Sequence, residues 1–320
     1  MESITVSVVI PVFNRDWQLR RALASVINQT FQDFEVIVID DASTIDIKAV
    51  IDEFNDERIK LYRNKRNLHA AASRNKGIGY SKGEYIAFLD SDDEWLPEHL
   101  RLRINYIKGT DLGGVYGPSL IYKNNVLTAT PKARILKDNE TMLEYFLGGR
   151  LRASTPSLLL KTSVLKKFQF DVNLKQQEDY NLLCKITREH RLGCIEESTT
   201  IVHNDEITEY RLSQQWHHRS CIDSIKDFSD IIDFDILYSY VFNRMKSIYW
   251  NSEDRSYILE YLKMLNSNIN KRGYSIKILN LNIRYGLQIL KLYEGLFIYI
   301  TRIKLSLKRL LHFRLNMQSS

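Results

Sequence analysis

A chain of 320 residues, 44% hydrophobic and 26% charged with a net charge of +6, has room for one mid-sized catalytic domain and an appendage. These fractions exclude an intrinsically disordered chain and a polytopic membrane protein. Three cysteines with no C-x-x-C pair exclude a disulfide framework and fit a reducing cytoplasm.

In chain order, the apolar run from Ser7 to Phe13 is short, interrupted by Pro11 and preceded by Glu2, which reads as a buried strand and not as a leader or membrane span. The polar triplet Asn14-Arg15-Asp16 follows, and then Trp17, Leu19, Leu23, Val26 and Ile27 at near-helical spacing. Glu35 to Asp40 is a second apolar strand ending in acid, after which Ile47, Val50, Ile51 and Phe54 mark one face of a helix. A short strand over 58–62, an Ala-rich helix over about 70–80 and a strand over 85–89 continue an alternation that predicts a mostly parallel sheet. Gly113 to Thr130, with Asn124-Asn125 at a turn, predicts a hairpin, and Leu158 to Lys161 a further strand, so the sheet becomes mixed. A helix over 179–190 precedes a strand over 199–202, and beyond about Tyr210 only helical patterning remains.

Ligands of open α/β sheets sit outside the carboxyl ends of the strands. The polar residues there are Asn14, Asp40, Asp41 and the cluster Asp90-Ser91-Asp92-Asp93. The clustered carboxylates suit Mn²⁺ or Mg²⁺, which neutralise a departing diphosphate, and equally suit a solvated loop ahead of a helix beginning near Pro97. Asp40-Asp41 reads either as turn chemistry or as an acceptor of hydrogen bonds from a nucleotide. Arg74, with Lys76, is either a solvated helix face or a phosphate contact. Glu178-Asp179 is either an acidic helix start or a general base. His203 follows a strand, where a lone histidine is more often structural than a ligand. No G-x-G-x-x-G follows the first strand and no P-loop occurs, which disfavours dinucleotide dehydrogenases and P-loop enzymes.

Taken together, Val8 to Asn14 (VVIPVFN), Ser25 to Phe31 (SVINQTF), Val38 to Ser43 (VIDDAS), Ala72 to Gly77 (ASRNKG) and Gly83 to Asp93 (GEYIAFLDSDD) resemble glycosyltransferase family 2. The resemblance is specific over about residues 5–100, extends to about residue 215 and does not reach the tail. It implies a nucleotide-diphospho-sugar transferase fold (glycosyltransferase A, Rossmann-like) with a mostly parallel central sheet, here followed by a helical C-terminal extension. It also implies inversion at the anomeric carbon by direct displacement, a nucleotide diphosphate-sugar donor, with UDP-sugar favoured, and Mn²⁺ or Mg²⁺. Matched position by position, it implies that Asp92 binds the metal, with Asp90 as first acid of the D-x-D pattern, Ser91 as its variable middle and Asp93 as a weaker candidate. Asp41 matches the base-contacting aspartate, Pro11 lines that pocket, Asn14 shapes the same crevice, and Arg74 matches a cation near the nucleotide. In the family's E-D block the Asp deprotonates the acceptor hydroxyl, which assigns the base to Asp179 and acceptor orientation to Glu178. His203 and Arg211 fall in a looser block that touches metal or diphosphate.

The expected organisation is a nucleotide-sugar half over 1–100, an acceptor half over 101–217 and a helical extension over 218–320. A retaining route needs a second carboxylate nucleophile, which nothing in the sequence singles out. Gln214 to Arg219 (QQWHHR) does not fit the Q-x-x-R-W of processive synthases, so one sugar is added per binding event to a glycan or lipid-linked acceptor, as in surface polysaccharide synthesis. The interleaved apolar and basic stretch from Leu296 to Leu311 suits peripheral membrane contact, on a cytoplasmic face, as well as it suits packing on the catalytic domain or on a second subunit of a homo-oligomer. No nucleic-acid recognition motif is evident. The competing readings are a catalytically inactive nucleotide-sugar-binding or scaffold subunit, which intact Asp90, Asp92 and Asp179 argue against, and a sugar nucleotidyltransferase, which lacks its glycine-rich loop here.

Overall fold

The computed structural model describes residues 4–138, 140–148, 154–204, 217–226, 228, 232–250 and 256–271. Its first half alternates as the sequence predicts: β1 (Val6–Val12), α1 (Trp17–Ile27), β2 (Phe34–Asp40), α2 (Ile47–Asp52), β3 (Ile59–Arg63), α3 (His69–Tyr80) and β4 (Tyr85–Phe88). There follow β5 (Glu94–Trp95), α4 (His99–Ile107), β6 (Gly114–Tyr116), β7 (Ser119–Lys123), β8 (Val126–Ala129), α5 (Met142–Leu147), β9 (Leu159–Lys161), α6 (Thr162–Lys167), α7 (Glu178–Ile186), β10 (Leu192–Cys194) and β11 (Thr200–His203). Three helices, α8 (His218–Lys226), α9 (Phe234–Trp250) and α10 (Ser256–Lys271), end the described chain.

The central sheet has seven strands in the order β10-β6-β9-β4-β1-β2-β3. β1 runs parallel to β2 and β4, and β2 to β3, while β9 is antiparallel to both β4 and β6, so the sheet is mixed on one side. A second sheet, β5-β11-β7-β8, has four strands, and its β7–β8 turn carries Asn124 and Asn125 at φ 52° and 62°. Both values lie in the left-handed region that Asn tolerates, which is the requirement of a tight two-residue hairpin.

The central strands are buried on both faces, so they read as unbroken apolar runs instead of alternating ones. Their side chains still alternate in destination. Val8, Ile10, Val36, Val38 and Ala87 pack with α1, α2 and α4, whereas Val9, Ile37, Ile39, Ile86 and Phe88 face α3 and α5 to α10. Gly77 allows α3 to lie against β1, since a Cβ there would sit 2.3 Å from Cγ1 of Val9.

The described part of the expected C-terminal extension is helical but not an appendage. Ile222, Ile225, Leu237, Val241 and Tyr261 belong to the same core cluster as Val9 and Phe88. The stretch Leu296 to Leu311, for which membrane and protein contacts were both open, lies outside the described residues, as does Arg211. Among the described residues no helix is long and apolar enough to cross a membrane.

Candidate active site

The carboxyl ends of β1, β2 and β4 open onto a cleft of about 930 Å³, a volume in the range of small-molecule sites. Pro11, Asp41, Arg74, Asp90, Asp92, Glu178 and Asp179 all line it. Residues far apart in the sequence and singled out there thus meet in one concavity.

Asp41 is buried, and its carboxylate accepts from Asn64 Nδ2, the Leu68 amide and the His69 amide, each at 2.8 Å. It therefore anchors the loop between β3 and α3 while lining the cleft, and these three donors use three of the carboxylate's four acceptor positions. Asn14, at φ 51°, works from behind: its Oδ1 accepts from the Thr44 amide at 2.7 Å, and its own amide donates to Ser43 Oγ at 2.9 Å. It braces the β1 and β2 loops against each other without itself lining the cleft. Asp40 is held lower down by the Ser43 amide at 2.8 Å and by Arg63 at 3.3 Å.

The acidic loop after β4 divides its work. Asp92 meets Arg15 at 2.7 Å, and the same guanidinium donates to Ser91 Oγ at 3.2 Å. Asp93 is buried and its Oδ1 accepts from the His203 amide at 3.1 Å, fastening the loop to the second sheet. Asp90 is paired with Arg74 at 2.6 Å.

Arg74 projects from α3 between two acids, because its other terminal nitrogen donates to Glu178 at 2.8 Å. Its guanidinium is thus committed to carboxylates instead of facing the cleft as a free cation. This leaves the neighbouring Asp179 without a full positive charge of its own. Asp179 accepts from the Tyr180 amide at 2.9 Å and from Thr155 Oγ1 at 3.2 Å. Burial and the adjacent Glu178 carboxylate outweigh the pull of Arg74, and the Asp179 carboxyl is raised to about 7. A carboxylate poised near neutrality is suited to taking a proton from a hydroxyl.

His203 is placed differently from the expectation of a metal ligand beside Asp92. Side chains alternate along β11, so Val202 faces the cleft while Ile201 and His203 face a separate shallow pocket with Trp17, Arg21 and Glu94. There His203 Nε2 lies 2.8 Å from Glu94 Oε1, and the ring packs 5.0 Å from that of Tyr122. Its backbone amide meets the acidic loop at Asp93.

Several cleft residues carried no readable signal. Thr155 lies in a 3₁₀ turn, Thr155–Ser157, which is clamped from behind: Trp95 Nε1 donates to the Pro156 carbonyl at 2.8 Å and Arg103 Nε to the Ser157 carbonyl at 3.1 Å. Phe146 of α5 stacks on Tyr180 of α7 at 3.5 Å, giving the wall beyond Asp179 an aromatic surface. Tyr240 and Asn243 bring α9 to the same wall.

The donor set at the acidic loop is hard oxygen, which fits Mg²⁺ or Mn²⁺. Among the described residues no group of three or more His, Cys, Asp or Glu side chains is arranged to hold an ion. Such ions are commonly held by one or two carboxylates together with substrate phosphates, and Asp92, with Asp90, fits that pattern.

The sequence profile of glycosyl transferase family 2 matches residues 7–168, from the second residue of β1 through β9 and including the acidic loop. The chain belongs to glycosyl transferase family 2. This glycosyltransferase is 28% identical over 277 residues, covering 87% of itself and 98% of the relative, to the UDP-Glc:α-D-GlcNAc-diphosphoundecaprenol β-1,3-glucosyltransferase WfgD of Escherichia coli. It is 33% identical over 169 residues to the GalNAc(5)-diNAcBac-PP-undecaprenol β-1,3-glucosyltransferase of Campylobacter jejuni, covering 52% of itself and 54% of that protein. Among solved structures, that of S. aureus TarS 1–349 with UDP-GlcNAc superposes at a TM-score of 0.61 with 18% identity, over 89% of this chain and 77% of the other, which shows the shared glycosyltransferase A fold.

Proposed function

We propose that the glycosyltransferase is an inverting, metal-assisted enzyme that moves one sugar from a nucleotide diphosphate-sugar, with UDP-sugar favoured, to a hydroxyl of a lipid-linked glycan in surface polysaccharide synthesis. The observation that carries this reading is the placement of the Asp179 carboxyl, held by Thr155 and the Tyr180 amide and raised by burial and Glu178, in the same cleft as the acidic loop. The two sequence relatives named above add sugars to diphosphate-linked undecaprenol acceptors, which supports the acceptor class.

In this reading the nucleotide lies over Pro11 and Asp41, with the base donating to the acceptor position of Asp41 that the loop amides leave open. Asp92, with Asp90, would hold the metal, which supplies positive charge to the departing diphosphate when bound. Arg74 fixes Asp90 and Glu178 in one frame, so that both halves of the site keep a common geometry. Asp179 takes the proton of the acceptor hydroxyl as it attacks the anomeric carbon. One base is sufficient for a single displacement, and the product configuration is inverted. Thr155 holds Oδ2 of Asp179 and the Tyr180 amide holds Oδ1, which fixes the plane of the carboxylate in the cleft. The stacked Phe146 and Tyr180 offer the acceptor sugar an apolar face, and Glu178 orients it.

The test is nucleotide release from a panel of UDP-, GDP- and TDP-sugars with Mn²⁺ and a diphosphate-linked acceptor, together with the anomeric configuration of the product by NMR. Inverted product from one donor, lost in Asp179→Asn and reduced in Asp92→Ala, is expected. Retained configuration, or full activity in Asp179→Asn, would overturn the mechanism.

A further inference from the structure

Several basic side chains line the cleft, Arg244 among them. Arg15 and Arg74 are neutralised by Asp92, Asp90 and Glu178. His69, Lys175 and His217 line the same cleft, and among the described residues none of the three side chains is in an ion pair with a carboxylate, although the His69 amide donates to Asp41. They come from distant points of the chain: the start of α3, the loop before α7 and the residue before α8.

That loop is built into place. The Lys175 amide donates to Ser220 Oγ at 2.8 Å, Gln176 Oε1 accepts from the His217 amide at 3.0 Å, and Gln177, at φ 64°, accepts from Ser224 Oγ at 2.8 Å. A left-handed non-glycine residue persists only where its surroundings hold it, so the loop before the catalytic acids is fixed against α8. Lys175 and His217 are presented together as a result. Burial and the nearby Lys175, His69 and His218 hold His217 below its ordinary value.

We infer that His69, Lys175 and His217 form a seat for a diphosphate ester, and that its occupant is the diphosphate linking the acceptor sugar to its lipid. This inference rests on the reading of the protein as a transferase to a lipid-linked acceptor. The chemistry follows from charge and reach: a lysine ammonium and imidazole N–H groups are donors matched to phosphate oxygens, and a concave wall strengthens their field. Lys175 lies in the loop that leads directly into Glu178 and Asp179, and His217 is fastened to that loop through Gln176. An acceptor anchored there by its diphosphate presents its first sugar to the Phe146–Tyr180 wall and its hydroxyl to the base. The donor diphosphate has a different place, at the acidic loop after β4.

Farnesyl diphosphate, a lipid diphosphate without sugar or nucleotide, is the probe. Its binding to the full chain is measured by titration calorimetry, alone and with saturating UDP and Mn²⁺, for wild type, Lys175→Ala, Lys175→Gln and His217→Gln. The expected result is binding that persists in the presence of UDP and weakens by about tenfold or more in the variants. UDP binding should stay within about twofold in the same variants, which also shows that they fold. Complete displacement by UDP would assign the three residues to the donor and overturn the acceptor seat. No binding, or binding indifferent to the substitutions, would overturn the seat altogether. Failure of wild type to bind UDP is a separate outcome that strikes at the transferase reading and not at the seat.

Discussion

Arg74 and Glu178 meet at 2.8 Å although 104 residues separate them in the chain. The pair joins α3 to the first turn of α7, and Arg74 carries Asp90 on its other arm. Asp179 feels this arrangement directly, since Arg74 is the cation that opposes the upward push of burial and of Glu178. The geometry of one arginine therefore bears on both the donor acids and the proton affinity of the base.

Arg74→Ala is expected to leave Asp90 and Glu178 unbalanced in a largely enclosed site and to cost about 3–5 kcal/mol. Urea denaturation reads the loss. In Arg74→Lys, which keeps a charge but cannot fork to both acids, the acid limb of kcat/KM should move to higher pH. A profile that superposes on wild type would show that Arg74 does not tune Asp179.

The pH dependence of stability has a definite sign at Asp179. Its folded carboxyl titrates near 7, above the ordinary carboxylate value, so the folded protein holds a proton that the unfolded chain gives up. The contribution is favourable below the unfolded value and is lost as pH rises from about 4 through about 7. Asp179→Asn removes this loss. The variant should be more stable than wild type by roughly 2–3 kcal/mol at pH 8 and show little difference near pH 4, while transfer falls by about two to four orders of magnitude. Thermal melts at the two pH values check the first statement and initial rates the second.

Arg15 occupies the carboxylate of Asp92 at 2.7 Å. A divalent ion held by Asp92, as proposed, would compete with this guanidinium for Oδ1 of Asp92. Arg15→Gln should tighten Mn²⁺ binding in the absence of nucleotide by about threefold to tenfold. Unchanged affinity in a calorimetric titration would show that the ion pair does not oppose the metal.

Trp95→Phe keeps the ring that stacks on His99 at 4.1 Å and deletes only the indole N–H that reaches the Pro156 carbonyl. A loss of about 1 kcal/mol is expected, since Thr200 still donates to that carbonyl at 3.2 Å. The effect on turnover should exceed the effect on donor KM, because the Thr155–Ser157 turn touches Asp179 and not the nucleotide end.

What the sequence made legible was what repeats locally or sits at strand ends. The apolar runs of β1, β2 and β4, the acid cluster after β4 and the Glu178-Asp179 pair all carry their signal within a few residues. The clamp on the Thr155 turn does not, because Trp95 and Arg103 reach it across 61 and 54 positions and neither has a local pattern. β5 was hidden because two residues inside an acidic loop show no period. His203 shows the limit from the other side. A motif places a residue near a site, but strand parity decides which face it takes, and Val202 holds the cleft face. The helical character after 217 was equally plain, whereas its burial against the sheet depends on contacts that no single stretch displays.

The shared core has a practical consequence for anyone dividing this chain. A fragment cut after residue 217, where the catalytic half was expected to stop, would strip Ile222, Ile225, Leu237, Val241 and Tyr261 from the cluster that includes Val9 and Phe88. It would also remove the floor on which Lys175 and Gln177 are pinned. The smallest autonomous unit therefore runs at least through α10, and grafting a foreign acceptor module onto the first hundred residues means supplying a new underside for the sheet as well as a new specificity.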